Sequence, residues 1–326
     1  MNATKRLTAV LAAVLCGLIS IASECAAQGF PSRSIRFVVP YGAGGSPDVI
    51  ARVLGQRLGE NLGQQVVVDN RPGAGGIIAA EIVAKSPADG YTLFIADTGH
   101  VAINPSLYPK LPYDPLRDFT PVTLAVSTPL FMAVNAALQI GSVKQFIDYA
   151  KAKPGVLYGS SGNGSSHHLG MELFRLLTGV NIAHVPYKGV AQSVPAVITG
   201  DVAVIFAALP SLAPHVKSGK IRLIAVGTAK RTPIMPDVPT VAESGAPGFE
   251  IDADIGFLAP AGTPREVVTK LNAEIVRVLG SPDITQRLAG LGIETVGTSP
   301  EHYADAIRAK IIKYGKLVKD SGARVD

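Results

Sequence analysis

This chain of 326 residues has almost no cysteine and no tryptophan. Its only two cysteines are Cys16 and Cys25, close to the N-terminus. The rest of the chain therefore has no disulfide, no thiol nucleophile and no cysteine ligand for zinc or an iron–sulfur cluster. Tryptophan is absent and aromatic residues make up 6% of the chain, which argues against a carbohydrate site or an aromatic cage.

Clusters of basic residues are also lacking. The 30 lysines and arginines exceed the 25 acidic residues only slightly, giving a formal net charge of +5. These charges are dispersed, and no aromatic residues alternate with them along a basic face, so we expect no nucleic-acid partner. A mild positive balance suits a small anionic ligand.

A long apolar run occurs only at the N-terminus. Lys5 and Arg6 precede an apolar stretch from Leu7 to Ala22, and small residues follow up to Ala27. This order is typical of a bacterial secretory signal. Glycine and polar residues interrupt the run, which falls short of the roughly 20 apolar residues of a membrane-spanning helix. We therefore predict a cleaved signal peptide over residues 1–27 and a periplasmic location for the remainder.

Strand, glycine-rich loop and helix follow one another repeatedly after this signal. The first unit has a strand at 34–40 and a helix at 49–61. Further strands are predicted at 65–69, 91–96, 121–135, 156–159, 181–185, 202–207, 221–227 and 255–259. Further helices are predicted at 77–84, 143–151, 167–178, 191–199, 264–279 and 300–320. This alternation predicts an α/β fold whose parallel sheet is covered by helices, with ligands outside the carboxyl ends of the strands.

About 300 residues beyond the signal are more than one typical core needs, which predicts two domains. The strand–loop–helix pattern restarts after the strand at 121–135, and the last segment is expected to return to the first half. We predict lobe 1 over 28–127 and 254–326 and lobe 2 over 128–253. Two chain crossings, near 124–130 and 250–256, then join two doubly wound α/β lobes, as in a hinge-closing binding protein.

Two loops share one physical design, Tyr41–Asp48 and Ser160–Ser166. In each, a strand ends, glycines allow a sharp turn and a helix begins. The first amide N–H groups of a helix lack internal partners and carry partial positive charge, so such a terminus binds a carboxylate or phosphate. A tight turn with a serine cap is the alternative for either loop alone. The occurrence of one such loop in each lobe favours ligand binding.

The triplet Asp97-Thr98-Gly99 lies at a predicted strand end. It resembles half of an aspartic protease site, but that chemistry needs two carboxylates and the chain has no second triplet. Two alternatives remain, a turn that lines the binding site with Thr98 as donor and a purely structural turn.

Motifs for metal, nucleotide and acyl-transfer chemistry are missing. The adjacent pair His167-His168 points in two directions on a helix, and the other histidines are scattered. The chain has no Gly-x-Ser-x-Gly elbow, no Gly-x-Gly-x-x-Gly fingerprint and no phosphate-binding lysine loop. We predict neither metal nor cofactor, and a free anion rather than a nucleotide.

Several motifs in order cover almost the whole chain after the signal. They are Pro31–Pro40, Gly44–Asp48, Asp69–Gly76, Asp89–Leu93, Asp118–Val122, Gly162–Ser165, His184–Gly189, Pro236–Thr240 and Ala259–Pro264. Each is weak alone, but the ordered set resembles the tripartite tricarboxylate transporter substrate-binding receptors, also called Bug proteins.

This resemblance implies a periplasmic type II binding-protein fold that closes on a small carboxylate. It implies no catalysis, and delivery of the ligand to membrane transporter subunits or to a sensor kinase. By the same resemblance, the anchors fall on the two glycine loops and the turn after Asp97, with Tyr187 and Lys188 beside the cleft. The expected ligand-binding residues are Tyr41, Gly44, Gly45, Ser46, Asp48, Thr98, Gly99, His100, Ser160, Ser161, Gly162, Asn163, Gly164, Ser165, Tyr187, Lys188 and Ala207.

One position departs from the family pattern. Many members have an aspartate after the Gly-x-Val that stands here at Gly200–Val202, whereas this chain has Ala203. With Ala207 and Ala208 ending the same strand, we expect an apolar wall at the far end of the ligand. The hypothesis is a ligand with an apolar or second carboxylate end rather than an amino acid, bound by a monomer.

Two other functions stay open at this stage. One is an exported hydrolase that uses a serine and a histidine in the cleft, with a carboxylate to orient the histidine. The other is a periplasmic sensor partner that signals rather than transports.

Overall fold

A computed structural model describes residues 29–324, so the predicted signal over 1–27 lies outside the described residues. The strands are β1 (Ile35–Val39), β2 (Val66–Asn70), β3 (Thr92–Asp97), β4 (Phe119–Asn135), β5 (Val156–Ser160), β6 (Ile182–Pro186), β7 (Val204–Ala208), β8 (Ile221–Val226), β9 (Asp252–Pro260) and β10 (Glu294–Thr295). The α-helices are α1 (Ser46–Leu62), α2 (Ile77–Ala84), α3 (Asn104–Leu107), α4 (Val143–Ala152), α5 (Ser166–Thr178), α6 (Val190–Thr199), α7 (Leu209–Lys217), α8 (Arg265–Leu279), α9 (Pro282–Ala289) and α10 (Pro300–Ser321). Short helical turns precede α2 and α3 and follow β4, at Ala74–Gly76, Gly99–Ile103 and Ala136–Leu138.

The strands are ordered β2-β1-β3-β9-β4-β7-β5-β6, with β8 and β10 paired to β4. The outer pairs β1–β2, β1–β3, β5–β6 and β5–β7 are parallel, as the strand–loop–helix pattern predicts. The middle is antiparallel, because β4 and β9 run against their neighbours. The sheet is therefore mixed rather than wholly parallel.

Strand β4 extends through both halves of the sheet. Its residues 119–129 pair with β9, and its residues 130–135 pair with β7 and β8. Seventeen residues rich in valine, threonine and phenylalanine suit such a long, buried strand. β4 and β9 thus connect the β1–β3 half to the β5–β7 half.

Local sequence explains where the two helices that follow the glycine loops begin and end. Helix α1 has Pro47 in its first turn and ends at Gly63, whose φ of +65° is left-handed. Helix α5 begins after Ser165, whose hydroxyl accepts from the amide of His168, and ends at Gly179 with φ +68°. Within residues 29–324, no helix is long and apolar enough to cross a membrane.

The C-terminal helix α10 packs on both halves of the molecule. Its buried face includes Tyr303, Ile307 and Tyr314. Near its end, Arg175 of α5 donates a 2.7 Å hydrogen bond to the carbonyl of Ser321. The sequence predicts this helix at 300–320, and the structure has it at Pro300–Ser321.

Candidate functional site

A cleft of about 690 Å³ opens where four helices begin, at the carboxyl ends of strands. The starts of α1, α5, α6 and α7 converge on it, and β4 and β9 form its inner wall. The lining residues are Tyr41, Gly42, Ala43, Gly45, Ser46, Pro47, Asp97, Thr128, Leu130, Ser161, Ser165, Ser166, His167, Lys188, Gly189, Val190, Ala191, Ala208, Ser211, Ala253 and Ile255. Free amide groups of a helix's first turn favour negative charge, so this convergence is suited to an anion.

The start of α1 presents backbone to the cleft rather than a capping side chain. Gly45 holds the N-cap position without a side-chain hydrogen bond, and Gly44 has a φ of +90°. Behind the loop, the carboxylate of Asp48 accepts from the Gly44 amide at 3.0 Å and from Asn70 and Arg52. Burial alone would raise the pKa of Asp48, but these donors lower it below its usual value. Asp48 therefore fixes the loop from behind.

The start of α5 is held by its own serines and histidines. Ser165 Oγ donates to the carbonyl of Gly162 at 2.7 Å while accepting from the His168 amide. Ser160 Oγ lies 2.6 Å from His184 Nε2, below the loop. His184 in turn stacks on His168, with ring centroids 4.0 Å apart. These contacts fix the loop that leads into α5.

Ser161 and His167 form the one contact between a serine hydroxyl and a histidine ring among the cleft-lining residues of the described chain. Ser161 Oγ lies 2.5 Å from His167 Nδ1. Burial lowers the pKa of His167 to about 4, although Asp97 opposes this shift. The imidazole is therefore neutral at pH 7 and offers a hydrogen bond rather than a charge.

The starts of α6 and α7 form the third and fourth sides of the cleft. Gly189, with a φ of +138°, is the N-cap of α6, and Lys188 beside it is exposed. Ala208 is the N-cap of α7, which contributes Ser211 from its first turn. Lys188 is the only lysine or arginine among the cleft-lining residues of the described chain.

The floor of the cleft is a buried cluster around Asp97. Its carboxylate accepts from the Tyr41 hydroxyl at 2.6 Å and from the Gly99 amide at 2.8 Å. Nδ1 of His100, itself buried, lies 2.8 Å from the same carboxylate. Burial would raise the pKa of Asp97, but the His100 ring and the Tyr41 hydroxyl bring it down to about 2. Burial also raises the pKa of Tyr41, and Asp97 raises it further.

Three buried hydroxyls in residues 29–324 lack a hydrogen-bond partner, those of Thr98, Thr128 and Ser166. Thr128 and Ser166 both line the cleft. Thr98 lines a separate small cavity together with Tyr303 and Lys310. A buried hydroxyl without a partner is costly, so each such group marks a place where a ligand or water is expected.

Seventeen site residues are expected from the sequence, and the structure separates them into two groups. Those that line the cleft are Tyr41, Gly45, Ser46, Ser161, Ser165 and Lys188. Those that lie behind it or beside it are Gly44, Asp48, Thr98, Gly99, His100, Ser160, Gly162, Asn163, Gly164, Tyr187 and Ala207. Several of the second group support the first, since Asp48, Gly99 and His100 hold the α1 loop and Asp97 in place.

Sequence reasoning missed the inner wall of the cleft. It also did not identify the starts of α6 and α7 as parts of the binding site. Thr128, Leu130, Ala253 and Ile255 come from the parts of β4 and β9 that lie outside the sequence motifs. The start of α6 had a signal, because Gly189 follows a strand and precedes a helix in the manner of the other two loops. Within residues 29–324, no group of three His, Cys, Asp or Glu side chains is arranged to hold a metal ion.

The chain resembles known proteins over most of its length. The family model described as "Tripartite tricarboxylate transporter family receptor" matches residues 50–323. The R. palustris protein Rpa4515, solved with adipate, is 42% identical over 91% of this chain and 100% of its own, with a TM-score of 0.88. The periplasmic binding protein BugD is 32% identical over 90% of this chain and 99% of its own, with a TM-score of 0.85.

A third relative is also known with a carboxylate. MatC from Rhodopseudomonas palustris, solved with bound malate, is 32% identical over 89% of this chain and 100% of its own, with a TM-score of 0.83. These matches confirm the α/β periplasmic binding-protein fold and the solute-receptor class predicted from the motifs. The chain belongs to the tripartite tricarboxylate transporter receptor family, which includes the Bug proteins.

Proposed function

We propose that this receptor captures a small organic carboxylate in the cleft and delivers it to membrane transporter subunits, without chemical turnover. The observation that supports this most is the convergence of four helix starts on one cleft. Among its described lining residues, Lys188 is the only lysine or arginine. The Asp97 carboxylate already accepts hydrogen bonds from Tyr41 and Gly99. Recognition of the anion then rests mainly on backbone amides.

The proposed lobes meet at the two long strands. Lobe 1 comprises residues 28–127 and 254–326, and lobe 2 comprises residues 128–253. In this division the chain crosses at Thr128 and Ala253, which are register partners in the β4–β9 pair. Closure by bending at these crossings brings the starts of α1 and α5 onto the ligand from opposite sides.

Export and partners follow from the same proposal. Residues 1–27 are the signal that places the receptor in the periplasm, where it acts as a monomer. A sensor kinase is the alternative recipient of the loaded receptor. Deleting the transporter genes or the kinase gene, followed by an uptake assay with labelled ligand, separates transport from signalling.

The ligand's far end meets apolar groups. Leu130, Ala208 and Ile255 line the cleft beside the helix starts. Ala208, rather than Ala207, faces the cleft, because successive side chains of β7 point to opposite faces. This wall favours a short hydrocarbon segment between polar ends, as in the adipate found with Rpa4515.

A thermal-shift panel tests the ligand class. We expect adipate or malate at saturating concentration to raise the melting temperature by several degrees, since a ligand at 100 times its Kd adds about 2.7 kcal/mol of stability. Aspartate and glutamate should have little effect. Stabilisation by these amino acids alone, with none from dicarboxylates or aromatic acids, would contradict the proposed ligand class.

Replacing Lys188 with glutamine is expected to weaken carboxylate binding about five- to tenfold. The loss should be larger at low ionic strength, because Lys188 is exposed and its attraction is screened by salt. Titration calorimetry at two salt concentrations measures both effects. The matched control is Lys144→Gln, which removes the same charge from an exposed position on α4. An equal loss in both variants would show a general charge effect and not a role of the cleft lysine.

The serine hydrolase alternative gains support from the contact of Ser161 with His167. A hydrolase of this kind also needs a carboxylate bonded to the histidine. No hydrogen bond joins His167 to a carboxylate in the part of the chain that the structure describes. We therefore propose that Ser161 orients His167 as a ligand contact. If the wild-type protein releases nitrophenol from a nitrophenyl ester and the Ser161→Ala variant does not, the result would support the hydrolase instead.

A further inference from the structure

We propose that the hydroxyls of Thr128 and Ser166 donate two separate hydrogen bonds to the bound ligand and set which carboxylates the receptor accepts. This inference rests on the proposed function, because it assigns two further contacts in the same cleft. Thr128 is not among the contacts expected from the sequence, whereas Ser166 is the last residue of the second loop expected to bind the anion. The ligand class that satisfies both is a carboxylate with at least two oxygen acceptor groups.

Thr128 lies on the crossing part of β4. It is 1% exposed, and its Oγ1 has no partner among the described residues. Its surroundings in the cleft wall are apolar, with Leu130 two residues along the same face and Ala253 opposite it in register. A buried hydroxyl in such a wall costs free energy unless a group in the cleft accepts a hydrogen bond from it. That acceptor is an oxygen of the ligand.

Ser166 is the first residue of α5. It is 3% exposed, and its Oγ also has no partner among the described residues. Capping does not account for it, because the preceding Ser165 already caps the helix. Ser166 lines the cleft at the first turn of α5, where the helix favours negative charge. Ser166 is placed to add a side-chain donor to a carboxylate bound by those amides.

The two hydroxyls come from different parts of the proposed architecture. Ser166 belongs to lobe 2, whereas Thr128 lies at the crossing between the lobes. A ligand that accepts hydrogen bonds from both hydroxyls therefore touches lobe 2 and the crossing at the same time. An anion with a single acceptor group leaves one buried hydroxyl unpaired and loses affinity for that reason.

Four variants test the inference. Thr128→Val and Ser166→Ala remove each hydroxyl with little change of shape, Thr128→Ser keeps the hydroxyl, and the double variant combines the two losses. Calorimetric titration with adipate gives the Kd of each, with malate as the probe if the wild-type protein binds malate instead. We expect Thr128→Val and Ser166→Ala each to weaken binding roughly tenfold or more, the double variant to show both losses, and Thr128→Ser to stay within about threefold of wild type.

Melting of the ligand-free variants gives an independent readout. A hydroxyl with no protein partner stabilises nothing in the free receptor, so Thr128→Val and Ser166→Ala should melt at the wild-type temperature or above it. A lower melting temperature would reveal a structural partner and overturn the inference, as would an unchanged Kd in both variants. If the wild-type protein binds no carboxylate at all, the proposed function fails first, and that result is distinct from an unchanged Kd.

Discussion

Replacing Gly76 with alanine is expected to lower the free energy of unfolding by roughly 3 kcal/mol or more. The added Cβ would lie 2.1 Å from two atoms of the His100 ring, in a residue whose φ is +83°. His100 cannot move away easily, since it packs against the rings of Tyr41 and Phe94 and contacts Asp97. Left-handed backbone and overpacking each cost about 1–3 kcal/mol for a residue with a Cβ.

Gly63→Ala is the matched control for this variant. Gly63 has a φ of +65°, but a Cβ there has no heavy atom within 4 Å. The free energy of unfolding of Gly63→Ala should fall by about 1–2 kcal/mol, because only the left-handed backbone is strained. Urea denaturation of the two variants measures the difference. Equal losses would mean that the His100 ring gives way freely and that the floor of the cleft is not rigidly packed.

Replacing Asp97 with asparagine is expected to destabilise the protein by about 2–4 kcal/mol at pH 7 and to change its response to acid. The carboxylate accepts from Tyr41 and Gly99 and faces His100, so an amide leaves at least one buried donor without its charged acceptor. The same change should weaken ligand binding, since Tyr41 lines the cleft and is oriented by Asp97.

The pH dependence follows from the direction of the pKa shift. In the folded protein, the pKa of Asp97 is lowered from 3.8 to about 2. Its contribution of about 2 kcal/mol is therefore fully present above pH 4 and is lost as the pH falls through 2. The stability difference between wild type and Asp97→Asn should shrink by about that amount between pH 5 and pH 2.

Asp305→Asn is the control for the acid titration, because it removes one carboxylate from the exposed surface of α10. Its stability should follow that of wild type closely from pH 7 to pH 2. If Asp97→Asn also ran parallel to wild type over this range, the Asp97–His100–Tyr41 cluster would not stabilise the folded state.

Much of the fold could be predicted because its signals are local. Helices α1, α5 and α10 begin and end at caps and glycines that the sequence displays, and their bounds differ from prediction by a few residues at most. Helix α7 was missed, since Pro210 and Pro214 argue against a helix unless the surrounding packing compensates. The antiparallel pairing of β4 with β9 was also missed, because it joins residues more than 100 positions apart.

The site was predictable only where a motif marks it. The glycine loops before α1 and α5 were found from their own residues, as a strand end followed by glycines and a helix start. Thr128 had no such mark, since a threonine in a long β-strand is ordinary and its place in the cleft wall depends on the pairing of β4 with β9. Which of Ala207 and Ala208 faces the cleft depends on the face of β7 to which each side chain points. A strand buried on both faces does not reveal this in its sequence.

The Asp97-Thr98-Gly99 turn illustrates the limit of motif reasoning. The sequence left open a turn that lines the site and a purely structural one. Asp97 lines the cleft floor, whereas Thr98 lines the separate cavity near Tyr303. The placement follows from the helical turn Gly99–Ile103, which brings His100 back onto the carboxylate of Asp97. The role of Thr98 as a ligand donor stays a prediction.

A crystal structure of the receptor with adipate or malate would show where the anion binds and which groups hold its carboxylate. We expect one carboxylate with its oxygens about 2.7–3.2 Å from first-turn amides of α1 and α5, inside the cleft bounded by Asp97 and Lys188. A ligand bound elsewhere, or one whose carboxylate turns to the solvent while its apolar part meets the helix starts, would contradict it.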